Sequence, residues 1–212
     1  MKSSMNEVLL SEVATYYSDK LTEHGQSPRG VDWNGEDSQI LRFEQLCKII
    51  EQSRAVSIND LGCGYGALNT FLSQQFEQLT YTGIDVSKDM IKAAELRYLD
   101  ESQTRFIVSS EPDKVADYGV ASGIFNVRLG RSDVEWCAYL ENTLDILNRT
   151  SLKGFSFNCL TSYSDIDKKK DYLYYADPCV LFDLCKRKYS RNVALLHDYG
   201  LYEFTILVRK QP

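Results

Sequence analysis

Apolar and polar positions follow two rhythms along this chain of 212 residues. Short apolar runs over Ala55–Asn59, Thr80–Val86, Arg105–Val108, Asp117–Phe125 and Phe155–Leu160 read as buried strands. Between several of them the spacing turns helical. Leu68, Phe71, Leu72 and Phe76 share one side of a helix expected over Gly66–Phe76. Met90, Ile91 and Ala94 mark another helix, with Ser87 placed to cap its start. Ser132-Asp133-Val134-Glu135 has the form of a capping box. Val134, Cys137, Leu140, Leu144 and Leu147 predict the helix that follows it, and Pro178 suits the first turn of a last helix running to Tyr189. Two further helices are expected ahead of the first strand. They cover Asn6–His24 and Ser38–Gln52, the second with Ile40, Phe43, Cys47 and Ile50 on one face.

The tail breaks the alternation. Asn192–His197 and Tyr202–Val208 are β-rich runs separated only by Asp198–Leu201, too short a link for a helix, so they pair antiparallel. The expected fold class is therefore α/β: a Rossmann-like, seven-stranded, mostly parallel sheet with helices on both faces, the last strand antiparallel, and an N-terminal helical extension. No repeat, linker or low-complexity tract divides the chain. The reading is one domain over 1–212, with 1–54 as a helical lid or extension and 55–212 as the Rossmann-like core.

Composition narrows the function classes. A content of 43% hydrophobic and 25% charged residues describes a globular chain. No apolar run reaches the roughly 20 residues of a membrane span, and the start lacks the apolar core of a signal peptide, so no membrane partner is expected. The six cysteines (47, 63, 137, 159, 179 and 185) contain no C-x-x-C pair. That favours a reducing, cytoplasmic location over a disulfide framework, and no metal site is expected. A net charge of −6 argues against nucleic acid as partner. Lys168-Lys169-Lys170 sits among Asp165, Asp167 and Asp171 and reads as a solvated loop.

The candidate chemistry begins where the first strand ends, at Asp60-Leu61-Gly62-Cys63-Gly64-Tyr65-Gly66. Glycines between a strand and a helix let a ligand approach the backbone. The same residues, continued to Ala67, also satisfy the dinucleotide pattern G-x-G-x-x-A, so the glycines alone leave NAD open. Asp60 weighs against it. A carboxylate there repels a diphosphate and attracts a ligand with an ammonium and a sulfonium. Asp85, ending the second strand, can accept hydrogen bonds from ribose hydroxyls of either ligand.

These motifs, with Gly83-Ile84-Asp85 and the closing hairpin, resemble the class I S-adenosylmethionine-dependent methyltransferases from about Ala55 to the end of the chain. The resemblance implies S-adenosylmethionine as cofactor and a methyl transfer as reaction. It implies that Gly62 and Gly64 line the methionine part, with Cys63, a small packing residue, and Gly66 in the same cofactor-binding loop, that Asp60 helps hold the ammonium, and that Asp85 binds the ribose. Val86 and Met90 would flank the adenine, with Ser109 and Ser110 near its edge, where the family often has an acid or amide. After the fourth strand, Ala121-Ser122-Gly123-Ile124-Phe125-Asn126 would face the acceptor.

No N-P-P-Y tetrad of nucleotide-methylating enzymes is present, so a small-molecule acceptor methylated at oxygen or nitrogen is expected. Tyr17, Lys20 and His24 are spaced to share one helix face, and Gly25, Pro28 and Gly30 then break the helix and return Trp33 and Asn34. This strip reads as a lid over cofactor and acceptor, the alternative being a helix with its polar side in water. The segment from His24 through Pro28-Arg29-Gly30-Val31-Asp32-Trp33 also resembles one in bacterial methyltransferases of this size. His24 and His197 are candidate catalytic groups. Tyr17, Lys20, Trp33 and Asn126 are candidate lid or acceptor residues, Arg29 and Arg128 candidate anion holders, and Tyr172, Tyr174 and Tyr175 candidate pocket residues. An NAD(P)-dependent oxidoreductase and a non-catalytic nucleoside-binding module with the same fold remain as alternatives.

Overall fold

The computed structural model describes residues 2–51 and 54–210. Its strands are β1 (Ala55–Leu61), β2 (Gln78–Asp85), β3 (Thr104–Val108), β4 (Ala116–Ala121), β5 (Ser151–Leu160), β6 (Asn192–Leu196) and β7 (Glu203–Arg209). They form one sheet in the order β3-β2-β1-β4-β5-β7-β6. β7 runs antiparallel to both of its neighbours, β5 and β6, while the other recorded pairings are parallel. The order reverses between β1 and β4, which opens a crevice at the carboxyl ends of the strands.

The helices are α1 (Lys2–His24), α2 (Glu36–Cys47), α3 (Ala67–Ser73), α4 (Lys88–Arg97), α5 (Asp133–Arg149) and α6 (Pro178–Lys188). Each sheet face carries its own core, as burial of alternate strand residues requires. On one face Phe43 and Leu46 of α2 and Leu68 and Leu72 of α3 pack on Ile58, Tyr81, Val120 and Leu207. On the other, α5 and α6 cover Ala121, Phe155, Phe157 and Phe204. No helix lies between β3 and β4, which are joined by residues 109–115 alone. Leu9 of α1 belongs to the apolar cluster that contains Leu61 and Ile84, and Leu10 and Val13 pack against that cluster.

Local signals in the sequence hold at the helix starts. The Ser87 hydroxyl accepts from the Met90 amide, and Ser132 with Glu135 closes a full capping box. The Asp177 side chain caps α6 ahead of Pro178.

Several expectations need correction. Val134 and Cys137, expected on the apolar face of α5, are both exposed. The buried stripe instead includes Trp136, Tyr139, Leu140, Thr143, Leu144 and Leu147, because two aromatics outweigh a valine and a cysteine in the area they bury. α2 ends at Cys47, and its expected end at Gln52 lies outside the described residues. Ile40 of α2 faces solvent while Gln39 and Arg42 are buried. β4 stops at Ala121 rather than Phe125, since Gly123 takes φ 76° and turns the chain. α3 ends three residues short of Phe76, at Ser73.

Candidate functional site

At the carboxyl end of β1 the chain makes its bend. Gly62, Gly64 and Gly66 have φ of 79°, 54° and 81°, a region that strains other residues. Space is as restrictive as conformation. A Cβ on Gly62 would lie 2.1 Å from Ile124 Cγ2, and one on Gly64 would lie 2.9 Å from Val31 Cγ1. The bend is therefore packed under the turn after β4 and under the segment that follows α1.

Four amides of this bend, those of Gly62, Cys63, Gly64 and Gly66, are already occupied. Gly62 and Cys63 donate to the Ile84 carbonyl at 2.7 and 3.0 Å, and Gly66 donates to the Cys63 carbonyl at 2.9 Å. Gly64 donates to Asp85 Oδ2 at 2.9 Å, while the Ser87 amide donates to Asp85 Oδ1 at 2.8 Å. Asp85 thus ties the bend to the start of α4. Burial pushes its carboxyl above the ordinary range, and these amide donors work in the opposite direction.

Asp60 is 2% exposed and accepts a hydrogen bond from the Tyr81 hydroxyl at 2.5 Å. Burial pushes its carboxyl up to about 7, with Tyr81 countering the rise and the charge of Asp85 adding to it. An acid held near neutrality in a crevice is the kind of group that a cationic ligand would return to its charged form.

One cavity joins these groups. Its lining includes Asp60, Gly62, Cys63, Gly64, Asp85, Val86, Met90, Ser109 and Ser110, all expected at a site from the sequence. Tyr17 and Trp33 join them from the N-terminal segment. Gly66 does not line the cavity: it turns the chain into α3, with Tyr98 and Phe106 packed against it and the Tyr98 hydroxyl donating to its carbonyl.

Other expected residues lie apart. His24, the last residue of α1, has Nε2 3.5 Å from Glu23, and its carbonyl accepts from the Ser27 hydroxyl. His197 is exposed beyond β6, its ring 6.0 Å from Phe204. Lys20 pairs with Asp32 at 3.5 Å instead of entering the cavity. Asn126 is structural: its side-chain oxygen accepts from the Leu160 amide, and its carbonyl accepts from Tyr174. Arg128 pairs with Asp133, and the Tyr172 carbonyl accepts the Arg128 and Leu129 amides. None of these lines the cavity, nor do Arg29, Asn34 or Tyr175.

The sequence reading missed Leu10 and Val13, which line the cavity with Tyr17. Their spacing (10, 13, 17) is itself a helical stripe and could have been found. It is the same stripe that Lys20 and His24 continue, but α1 passes the cavity after Tyr17. Val31, Gln39, Phe43, Tyr65, Tyr139 and Ser122 also line it. For Gln39 and Tyr139 no local signal exists, because only packing brings α2 and α5 to the crevice.

The chemistry of the lining can be tested against ligand classes. Buried Asp60 and half-buried Asp85 flank the bend, and the Gly62, Cys63, Gly64 and Gly66 amides are bonded within the protein, so a diphosphate there would meet repulsion. A ligand with a cationic group, hydroxyls and an apolar planar part fits better, because the lining offers the carboxylates of Asp60 and Asp85 together with the apolar side chains of Val13, Ile84, Val86 and Met90. The Ser122 hydroxyl, in the lining and buried, has no hydrogen-bond partner among the described residues.

Comparison with known proteins agrees with this chemistry. Residues 59–149 match the family model described as "Methyltransferase domain". The Mycobacterium tuberculosis protein named "Putative methyltransferase Rv1506c" is 63% identical over 163 residues, covering 77% of this chain and 98% of that protein. Among solved structures, the complex of DhpI with SAM and HEP aligns with a TM-score of 0.66 at 16% identity, covering 95% of this chain and 98% of that one. Magnesium protoporphyrin IX methyltransferase from Synechocystis PCC 6803, with bound SAH, aligns with a TM-score of 0.57 at 13% identity, covering 82% and 81%. These two show the shared fold. The chain belongs to the class I S-adenosylmethionine-dependent methyltransferases.

Proposed function

We propose that this methyltransferase modifies oxygen or nitrogen of a small-molecule acceptor, and that the residues lining the cavity divide the cofactor among them. Asp60 holds the ammonium, directly or through water, and Asp85 uses its remaining lone pairs for the ribose hydroxyls. Gly62, Cys63 and Gly64 lie along the methionine chain. Val86 and Met90 flank the adenine, with Ser109 and Ser110 at its edge. The observation that carries this reading is the pair of carboxylates, buried Asp60 and half-buried Asp85, that line one cavity with the glycine bend.

When bound, the cofactor supplies an electrophilic methyl on a sulfonium. The protein's share is alignment and exclusion of water. Tyr17 supports that role as a neutral phenol, since burial holds it well above its usual range. We read residues 1–54 as the lid of a single methyltransferase domain, because Val31 and Trp33 pack directly over Gly64 and Gly123. A cavity covered in this way favours a metabolite over a macromolecule. All six cysteines are free, which fits a reducing cytoplasm. Among the described residues no helix is long and apolar enough to cross a membrane, and no group of three or more His, Cys, Asp or Glu side chains could hold a metal ion.

Calorimetry with S-adenosylmethionine, S-adenosylhomocysteine and NAD tests the cofactor reading. Binding of the first two without NAD is expected, and binding of NAD alone would overturn it. For the acceptor, radiolabel from methyl-labelled cofactor should pass into a small-molecule extract and not into added RNA, DNA or protein. Label appearing in a macromolecule would refute the small-molecule assignment.

A further inference from the structure

Beside the cavity, on the sheet face covered by α2, lies a buried polar chain that the cofactor reading does not use. The Arg42 guanidinium donates through Nε and Nη2 to both oxygens of Glu203, at 2.8 and 2.7 Å, and through Nη1 to the Ser38 carbonyl at 2.7 Å. The Asn158 amide donates to Glu203 Oε2 at 2.8 Å, and its own oxygen accepts the Gly123 amide at 2.7 Å. Arg42 is 5% exposed, Glu203 2% and Asn158 0%. At the other end of the chain the Trp33 ring lies on the Arg42 guanidinium, 3.8 Å from centroid to Cζ. Trp33 also fills the space beside Gly123, where a Cβ would lie 2.4 Å from Cζ2 of the indole.

A buried ion pair is a poor source of stability, because desolvating both charges costs about as much as their attraction returns. A fully satisfied buried network does hold its members in one arrangement. Here the members come from α2, β5 and β7, and what they hold is the turn after β4 together with Trp33. None of Arg42, Glu203 and Asn158 lines the cavity. Trp33 and both neighbours of Gly123, Ser122 and Ile124, do.

We propose that Arg42, Glu203 and Asn158 are positioning residues for methyl transfer, fixing Trp33 and the Ser122–Ile124 turn as one wall against the reacting side of the cofactor. The inference rests on the cofactor placement proposed above. With the ammonium at Asp60 and the ribose at Asp85, the residues between them that would hold the part of the cofactor carrying the sulfur include Gly62, and Ile124 is the side chain packed on Gly62. S-adenosylmethionine and S-adenosylhomocysteine differ only by the methyl and its charge. A wall on that side therefore shows in the ratio of their affinities, whereas general loosening of the protein weakens both alike.

The test compares wild type with Glu203→Gln, which keeps shape and drops the charge, and Asn158→Ser, which removes the bonds to the Gly123 amide and to Glu203 while leaving the Arg42–Glu203 pair. Calorimetry should show S-adenosylmethionine weakened relative to S-adenosylhomocysteine by at least fivefold in both variants. The Gly123 amide should exchange with solvent at least tenfold faster. Acrylamide quenching of Trp33 should at least double in Glu203→Gln, Trp136 being fully buried and out of reach. A folded variant with a smaller change in the affinity ratio overturns the proposal, as does failure of both variants to fold, which would make these core residues. If wild type binds neither ligand, it is the cofactor reading that fails.

Discussion

Asp60 sets two properties against each other. Its folded-state value of about 7 stands above the ordinary carboxylate value of about 3.9, so the folded protein binds this proton more tightly than the unfolded chain does. Its contribution to stability is complete below about pH 4 and is lost as the pH rises through about 7. In urea titrations, Asp60→Asn should stabilise the ligand-free protein at pH 8 by at least about 1 kcal/mol and leave it unchanged near pH 4. An ammonium ligand needs the charged carboxylate. Affinity for S-adenosylmethionine in wild type should thus fall between pH 8 and pH 6, and that pH dependence should be absent from the Asp60→Asn variant. Equal slopes in the two proteins would place the ammonium elsewhere. Asp85→Ala should weaken the cofactor more than tenfold, since it removes charge-assisted bonds worth about 1.5–3 kcal/mol each and frees the Gly64 amide. Unchanged affinity would refute the ribose assignment. Both acids were legible in the sequence because the strand pattern ended on them. The Tyr81 bond to Asp60 was not, since it crosses from β2 to β1.

Among the elements, the bend after β1 is the least tolerant. Gly62→Ala should destabilise the protein by about 2 kcal/mol, from positive φ together with contact on Ile124, and should abolish cofactor binding. A thermal midpoint equal to wild type would show that the bend can relax. Ser132→Ala removes a capping box and should lower stability by about 1 kcal/mol without changing cofactor affinity, as α5 starts away from the cavity. Caps were readable because they depend on residues within one turn. The buried face of α5 was misread because periodicity gives a stripe only when the residues chosen for it are the ones that pack. Ile40 of α2, expected on the buried face, is exposed while Arg42 is buried, and Glu203, 161 residues away in sequence, makes burial of the arginine possible.

For the whole molecule, the short 109–115 connection has the largest consequence. With no helix there, α1 joins the apolar cluster that contains Leu61 and Ile84 and becomes part of the cavity through Leu10, Val13 and Tyr17. Addition of S-adenosylhomocysteine should slow hydrogen exchange over residues 8–33 at least tenfold. Exchange slowed only at the glycine bend would reduce α1 to scaffold. The sequence by itself determined the strand and helix order, the hairpin, the caps, the glycine bend and its two carboxylates, because these arise from spacing and from neighbours in the chain. Tertiary structure alone decided which face of each helix is buried, the exclusion of Lys20, His24, His197 and Asn126 from the cavity, and the Arg42–Glu203 pair. Those outcomes depend on contacts between distant segments, whose energies no local pattern of residues records.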